Sequence, residues 1–295
     1  MFSITLLMTL TALKSNGQNP DLLTLVTAAT QAPSGHNSQP WFFTVENNRI
    51  IITPDFTKAL PAVDGKHREL FMSLGCALEN LCLKATELHY HTQVQLTSEG
   101  IITVLLQKRE DVTPSSLAAV IPKRQTNRSV YDDKRIDASL LQSLVSKAMD
   151  DTGAKLYTFA NGSPLFATLT EAVMQGNAVQ MADPAFKNEL LSWIRFNKKH
   201  SESTHDGLTS EKDDIRTWIN TGRLLERFLL VLTEAGIANA YLNQPCEVPE
   251  LRAQLQADLP IAKAYPQILL RIGYAKPVAY SKRKDIKEVS KFKNE

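Results

Sequence analysis

Residues 33–40, PSGHNSQP, crowd two prolines, a glycine and five hydrogen-bonding side chains into eight positions, just ahead of Trp41-Phe42-Phe43. Gly35 permits a tight turn, and Ser34, His36, Asn37 and Gln39 can both donate and accept. That combination suits the edge of a planar heterocycle carrying carbonyls and ring nitrogens. A rigid, proline-bounded turn that launches a strand is an equally consistent reading. A second polar stretch, KRQTNR from Lys123, carries Lys123, Arg124 and Arg128 with Thr126 and Asn127 as neutral donors. Such a set can grip a phosphate through charge-assisted, bidentate bonds, or it is a basic linker in water. Arg271 lies inside the apolar run QILLRIGYA, where an arginine must meet an anion or turn to an exposed face.

Other chemistries lack their residues. His36 has no partner at metal-ligand spacing, and zinc spacings, H-E-x-x-H and EF-hand loops are missing. Ser34 has no G-x-S-x-G context. Neither G-x-G-x-x-G after a strand nor G-x-x-x-x-G-K-[ST] occurs.

The elements that must position these residues follow from periodicity. Leu22, Leu25, Val26 and Ala29 fall at helical spacing and the run stops at Pro33. WFFTV and RIIITPD read as strands joined by a hairpin at Glu46-Asn47-Asn48. RELFMSLGCALENLCLKATELHY is a largely buried helix, and TQVQL and IITVLLQ are strands. From Arg135 the order begins again: RIDASLLQSLVSKAM as helix, KLYTFA as strand, WINTGRLLERFLLVLTEAGI as a long helix and QILLRIGYA as strand.

The two long helices match each other. A shift of 147 places Gly75, Leu78, Glu79, Leu83, Thr86 and Glu87 on Gly222, Leu225, Glu226, Leu230, Thr233 and Glu234, six identities in thirteen positions. At a smaller shift Leu22, Leu25, Val26 and Ala29 fall on Leu141, Leu144, Val145 and Ala148. Apolar periodicity explains the leucines but not the matched Gly, Thr and Glu. The chain therefore reads as two diverged copies of one helix-and-sheet unit. The first copy has PSGHNSQPW where the second has only DDTGAK, and the second is preceded by KRQTNRSVY where the first has KSNGQNP.

Composition bounds the class. At 295 residues with 43% hydrophobic and 22% charged residues, the chain can bury a large core. The balance of 33 basic and 31 acidic residues gives +2, so no strong field points to nucleic acid or membrane. Three cysteines, Cys76, Cys82 and Cys246, fit a reducing, cytoplasmic setting. The apolar N-terminus has no basic flank and no A-x-A site, so a packed or frayed segment is favoured over a signal peptide. The lysine-rich tail from Lys276 reads as a solvated extension.

Taken together, APSGHNSQPW, RELFMSLGCALENLCLKA, RQTNRSVYDD, LNQPCEVPELR and PQILLRIGYA resemble, in this order, the FMN-dependent nitroreductase family. The fused, Acg-like subgroup, with two nitroreductase-type units in one chain, is the nearer match, from about Asp21 to Tyr280. The resemblance implies an α+β fold of the three-layer α/β/α nitroreductase type, with two pseudo-symmetric units of mostly antiparallel sheet flanked by helices. The units would span 21–120 and 121–280, with a lid at about 184–214, an N-terminal segment 1–20 and a basic tail 281–295. In that family one subunit supplies the phosphate-binding basic element and the other the P-S-x-x-N loop, which would explain the complementary halves.

Carried over, Arg124, Thr126, Arg128 and Arg271 would hold the FMN phosphate. Ser34, Asn37 and His36 would meet the flavin from the opposing half. Asn243 and Gln244, within LNQP, would lie near its reactive nitrogen, with Arg68 close by. Gln125 stands where the family's second arginine usually is, which removes a charge. The segment from Ser203 to Asp214 is shorter than the subgroup's lid-and-strand stretch, which puts lid closure and that strand in question. The implied activity is electron transfer from NAD(P)H through the flavin to nitroaromatics, quinones or related small molecules. A flavin-storing protein without turnover is the alternative, and an apo interaction module a third. The fused chain would be a monomer with pseudo-dimeric halves or a homodimer.

Overall fold

The computed structural model describes residues 19–149, 153–193, 205–261 and 264–293. The N-terminal segment in question above lies outside them, as do 194–204 of the expected lid. The first unit begins with α1 (Pro20–Thr30), where Asn19 accepts from the Asp21 backbone N–H and Pro20 starts the first turn. There follow β1 (Trp41–Glu46), β2 (Arg49–Pro54), α2 (Arg68–Glu87), β3 (Tyr90–Leu96) and β4 (Ile102–Lys108). A 3₁₀ turn, Ser116–Lys123, buries Leu117, Val120 and Ile121 against α2 and leads into Arg124.

The second unit comprises α3 (Ala138–Ala148), β5 (Ala154–Phe159), α4 (Pro164–Ala182), α5 (Pro184–Trp193), β6 (His205–Ser210) and α6 (Ile215–Glu234). It continues through β7 (Ala238–Tyr241), the short α7 (Gln244–Glu247), α8 (Pro249–Asp258) and β8 (Tyr265–Gly273); the tail beyond it carries α9 (Ile286–Val289) and β9 (Ser290–Phe292). The two sheets run β3-β4-β2-β1-β9 and, taken from the equivalent edge, β7-β8-β6-β5. Each first-unit pairing has its antiparallel counterpart in the second: β1 with β2 and β5 with β6, β2 with β4 and β6 with β8, β3 with β4 and β7 with β8. The α+β class expected from the sequence is the one observed.

The strand left in question is β6, and it lies inside the second sheet, in the place β2 holds in the first. Its HDGLTS sequence hides the usual signal. Leu208 is buried, whereas Gly207 stands where a Cβ would come 3.3 Å from the Ile268 carbonyl oxygen. The solvated reading of the tail is also corrected. Strand β9 pairs parallel with β1, Phe43 opposite Ser290 and Val45 opposite Phe292. Val289 is buried, and Ile286 and Phe292 pack on the main core. Three apolar side chains set at intervals among the lysines are enough to dock it.

The units meet along α2 and α6. Contacts advance together along both helices, from the stacked rings of Phe71 and Trp218, 6.1 Å apart, to Glu79 beside Arg223 and Arg227, so the helices run parallel. Between them the backbones touch. A Cβ at Gly75 would lie 2.0 Å from the Ile219 carbonyl oxygen, and one at Gly222 would lie 2.0 Å from that of Met72. Subtracting 147 from Gly222 and Ile219 gives Gly75 and Met72, so the two contacts are mirror mates. A local two-fold therefore passes between the helices, as in an isologous interface. Gly75→Ala and Gly222→Ala should each lower unfolding free energy by roughly 3 kcal/mol in denaturant titrations. A loss near zero would show that the backbones separate without cost.

Candidate functional site

The proline-rich loop is held in a costly conformation. His36, Asn37 and Gln39 all have left-handed backbone angles, with φ of 49°, 56° and 55°. Non-glycine residues there cost of the order of 1–2 kcal/mol each. Bonds from within the loop and from the tail hold it. The Gln39 N–H donates to Ser34 Oγ at 2.9 Å, and Gln39 Nε2 donates to the Asn37 carbonyl at 3.1 Å. Asn37 Nδ2 donates to the Lys282 carbonyl at 2.9 Å and Arg283 Nη1 donates to Asn37 Oδ1 at 2.7 Å. The Lys284 N–H and Nζ reach Gln39 Oε1 and the Ser38 carbonyl, both at 2.9 Å. His36 Nε2 is buried without a partner. Burial first, and Arg128 beside it second, lower the His36 pKa and favour the neutral ring.

The basic stretch folds against this loop. Arg124 is 4% exposed, and its Nη2 donates to the Gln31 carbonyl at 3.0 Å. Arg283 Nη2 donates to the same oxygen at 2.9 Å. The chain around Asn127 runs beside β7, its N–H donating to the Asn239 carbonyl at 2.7 Å. Arg128 is exposed and Thr126 half-buried. Arg271 lies over the Tyr131 ring, 4.4 Å from its centre, and donates to the Ser129 carbonyl at 3.0 Å. Burial lowers its pKa, with the neighbouring Tyr131 opposing. Gln125, the departure from the expected arginine, accepts the Val278 N–H at 2.7 Å and so anchors the start of the tail.

The remaining candidates form a second group. Arg68 is buried and donates to the carbonyls of Gln267 and, at 3.0 Å, Cys246, so it braces α2 against the second unit. Asn243 Oδ1 accepts the Leu269 N–H at 3.1 Å, and its Nδ2 donates to Glu69. Gln244 Oε1 is buried without a partner. Gly35 joins the two groups, since a Cβ there would lie 3.5 Å from Glu69 Oε2 and 3.0 Å from Leu60 Cδ1. Helix α4 presses on the Asn243–Pro245 segment through Gly176, whose Cβ would fall 2.9 Å from the Gln244 backbone carbon. Helix α5 touches the Gly35–Asn37 turn, and its Glu189 accepts from the N–H groups of Ala62 and Val63 at 2.9 and 3.1 Å.

Sequence reasoning missed Arg283, hidden in a lysine-rich run, the half-buried acids Glu69 and Glu247, and the buried Glu226. The match of Glu79 with Glu226 was a signal for the last of these. A buried arginine cluster with spare donors fits a phosphate. Arg124 Nε and Nη1, Arg283 Nε and His36 Nε2 are buried without hydrogen-bond partners. Among the described residues, no group of three or more His, Cys, Asp and Glu could hold a metal ion. No described helix is long and apolar enough to cross a membrane.

A solved structure described as "a putative nitroreductase" from Anabaena variabilis superposes with a TM-score of 0.55, at 10% identity, over 88% of this chain and 74% of that one. The chain thus has the nitroreductase fold. Two Mycobacterium tuberculosis proteins are similar in sequence. "Putative NAD(P)H nitroreductase Rv3131" is 25% identical over 92% of this chain and 91% of its own length. "Uncharacterized protein Rv3127" is 22% identical over 86% of this chain and 87% of its own. No protein-family model matches the chain.

The acids at the junction carry a pH dependence. Burial, and then the charge of Glu247, raise the Glu69 carboxyl well above its ordinary 4.5. Burial likewise raises Glu247, against the bond from Gln180. Both values are higher folded than unfolded, so the folded chain holds protons that the unfolded chain releases. Their stabilisation is full below about pH 4.5 and is lost as pH rises toward the folded values. Melting temperature should fall as pH rises above the ordinary carboxylate range, and less steeply in Glu247→Gln. Equal slopes in calorimetry of the two proteins would remove this assignment.

Proposed function

We propose that the chain binds FMN between its two units and uses it to pass electrons from NAD(P)H to a small conjugated acceptor, a nitroaromatic or quinone. The observation that carries the reading is a bridge through Arg283: it shares the Gln31 carbonyl, just ahead of the PSGHN loop, with Arg124 of the basic stretch, and it donates to Asn37 Oδ1 within the loop. The loop comes from the first unit and Arg124 from the segment that opens the second. Each half has what the other lacks, as a split cofactor site requires. The similarity to a protein named an NAD(P)H nitroreductase supports the same reading.

In this assignment Arg124, Thr126, Arg128, Arg271 and Arg283 form the phosphate end. Ser34, His36 and Asn37 face the ring system, with neutral His36 offering a nitrogen to a ring carbonyl or N–H. Asn243 and Gln244 bound the reactive edge, and Arg68 positions that wall from behind. When bound, the flavin supplies hydride acceptance and electron transfer. The protein fixes the ring between the units, keeps water from it with α4 and α5, and neutralises the phosphate. The two units would be diverged, fused copies, with α4 and α5 as the lid inserted where the first unit has the Asn47-Asn48 turn.

Storage of FMN without turnover is the second reading. It is favoured by the enclosure of the site, with Arg124 buried and α5 seated on residues 62 and 63. An anaerobic titration separates the two, because an enzyme's flavin bleaches on NADH or NADPH and a stored flavin stays yellow. Arg124→Ala and Asn37→Ala should weaken FMN retention roughly 10- to 100-fold, the loss of one charge-assisted or buried polar contact. Lys155→Ala, on the surface, should not. A colourless protein that takes up no FMN would overturn both readings.

A further inference from the structure

Glu226, in the middle of α6, is wholly enclosed, and its Oε1 stands 3.3 Å from Arg124 Nε. The charges are close but misaligned. Neither carboxylate oxygen, nor Arg124 Nε or Nη1, forms a well-directed hydrogen bond. The mirror carboxylate tells a different story. Glu79, 147 positions earlier, receives Arg223 Nε and Arg227 Nε at 2.9 Å each. One buried acid is saturated by cations, and the other shares an arginine whose remaining donors are spare.

The groups around Glu226 come from every neighbouring element: Glu79, Asn80 and Cys76 on α2, Arg124 after the 3₁₀ turn, Tyr241 on β7 and Arg283 on the tail. Burial pushes the Glu226 carboxyl up to about 7, with Arg124 pulling it down, then Asn80 and Arg283, while Glu79 adds to the rise. Its anionic form thus depends on two arginines that the reading above also gives to a phosphate.

Resting on that FMN reading, we propose that Glu226 is the positioning residue of the phosphate end: it holds Arg124 as a resident counter-ion in the empty site and takes up a proton when a phosphate monoester occupies Arg124 and Arg283. The reason is competition in a low-dielectric space. A dianion placed on the same guanidinium groups draws them from the carboxylate and adds a like charge nearby, and both effects favour the neutral acid. No bond other than Glu226 O–H forms, and the proton comes from solvent. The sign follows. Above about pH 7 the free carboxylate must be protonated for FMN to bind, so affinity falls with pH, by up to about tenfold per unit. Below about pH 6 the phosphate itself takes a proton, and the gain ends.

Calorimetric titration of the flavin-stripped chain tests this, in two buffers of different ionisation enthalpy and with riboflavin as the phosphate-free ligand. Near pH 8, FMN should bind with uptake of close to one proton and riboflavin with none. FMN affinity should fall roughly fivefold from pH 7 to pH 8 and stay level in Glu226→Gln, which should bind without uptake. FMN binding without proton uptake, or equal uptake with riboflavin, overturns the proposal while leaving the FMN reading intact. No FMN binding at any pH overturns both. If Glu226→Gln does not fold, the comparison of FMN with riboflavin in the unaltered chain decides the matter.

Discussion

The contact of two helix backbones at Gly75 and Gly222 is the constraint on which the rest depends. Only where neither helix carries a Cβ can α2 and α6 approach so closely, and the approach fixes both the separation and the parallel sense of the units. Two sheets of the same strand order are thereby locked about a local two-fold. The arrangement brings the loop after α1 and the stretch before α3 to one place, although about ninety residues separate them in sequence. The seam therefore sets the spacing of groups, the loop and the basic stretch, that have no counterpart in the opposite half.

Symmetry also sets out where the halves have diverged. The seam buries two carboxylates at equivalent positions, Glu79 and Glu226, and burying an acid is costly unless cations or hydrogen bonds compensate it. On one side Arg223 and Arg227 close around Glu79 and leave a filled, inert ion cluster. On the other the equivalent α2 positions are Cys76 and Asn80, which bring no charge. Compensation there falls to Arg124 and Arg283, which come from outside the helix pair. That difference turns one of two equivalent places into a site with uncommitted donors.

The sequence carried the fold further than the site. Alternating apolar runs and the 147-residue offset were legible because the seam demands glycine and the sheets demand a buried face. Strand β6 was obscured since its HDGLTS run has a glycine and polar residues where a strand pattern asks for apolar ones. The surroundings of the candidate side chains were hidden for a different reason. Arg283 and Lys284 look like part of a solvated lysine run, and their role appears only when Val289 and Phe292 dock β9 against β1. Arg68, expected close to the flavin's reactive nitrogen, donates to the carbonyls of Gln267 and Cys246, contacts that depend on how close the second half of the chain lies.

Tail and loop form one mechanical unit. Three left-handed residues within four positions would relax in an isolated peptide, because the strain they hold exceeds what the bonds from Gln39 alone return. Bonds to the backbone of 282 and 284 and from the Arg283 side chain supply the difference, on a tail that β9 docks against β1. Because Arg283 also donates to Gln31 beside Arg124, the same residue that holds the loop in shape sets a second guanidinium next to Arg124. Order in the loop and charge beside Arg124 are therefore coupled, and the coupling passes through the last segment of the described chain.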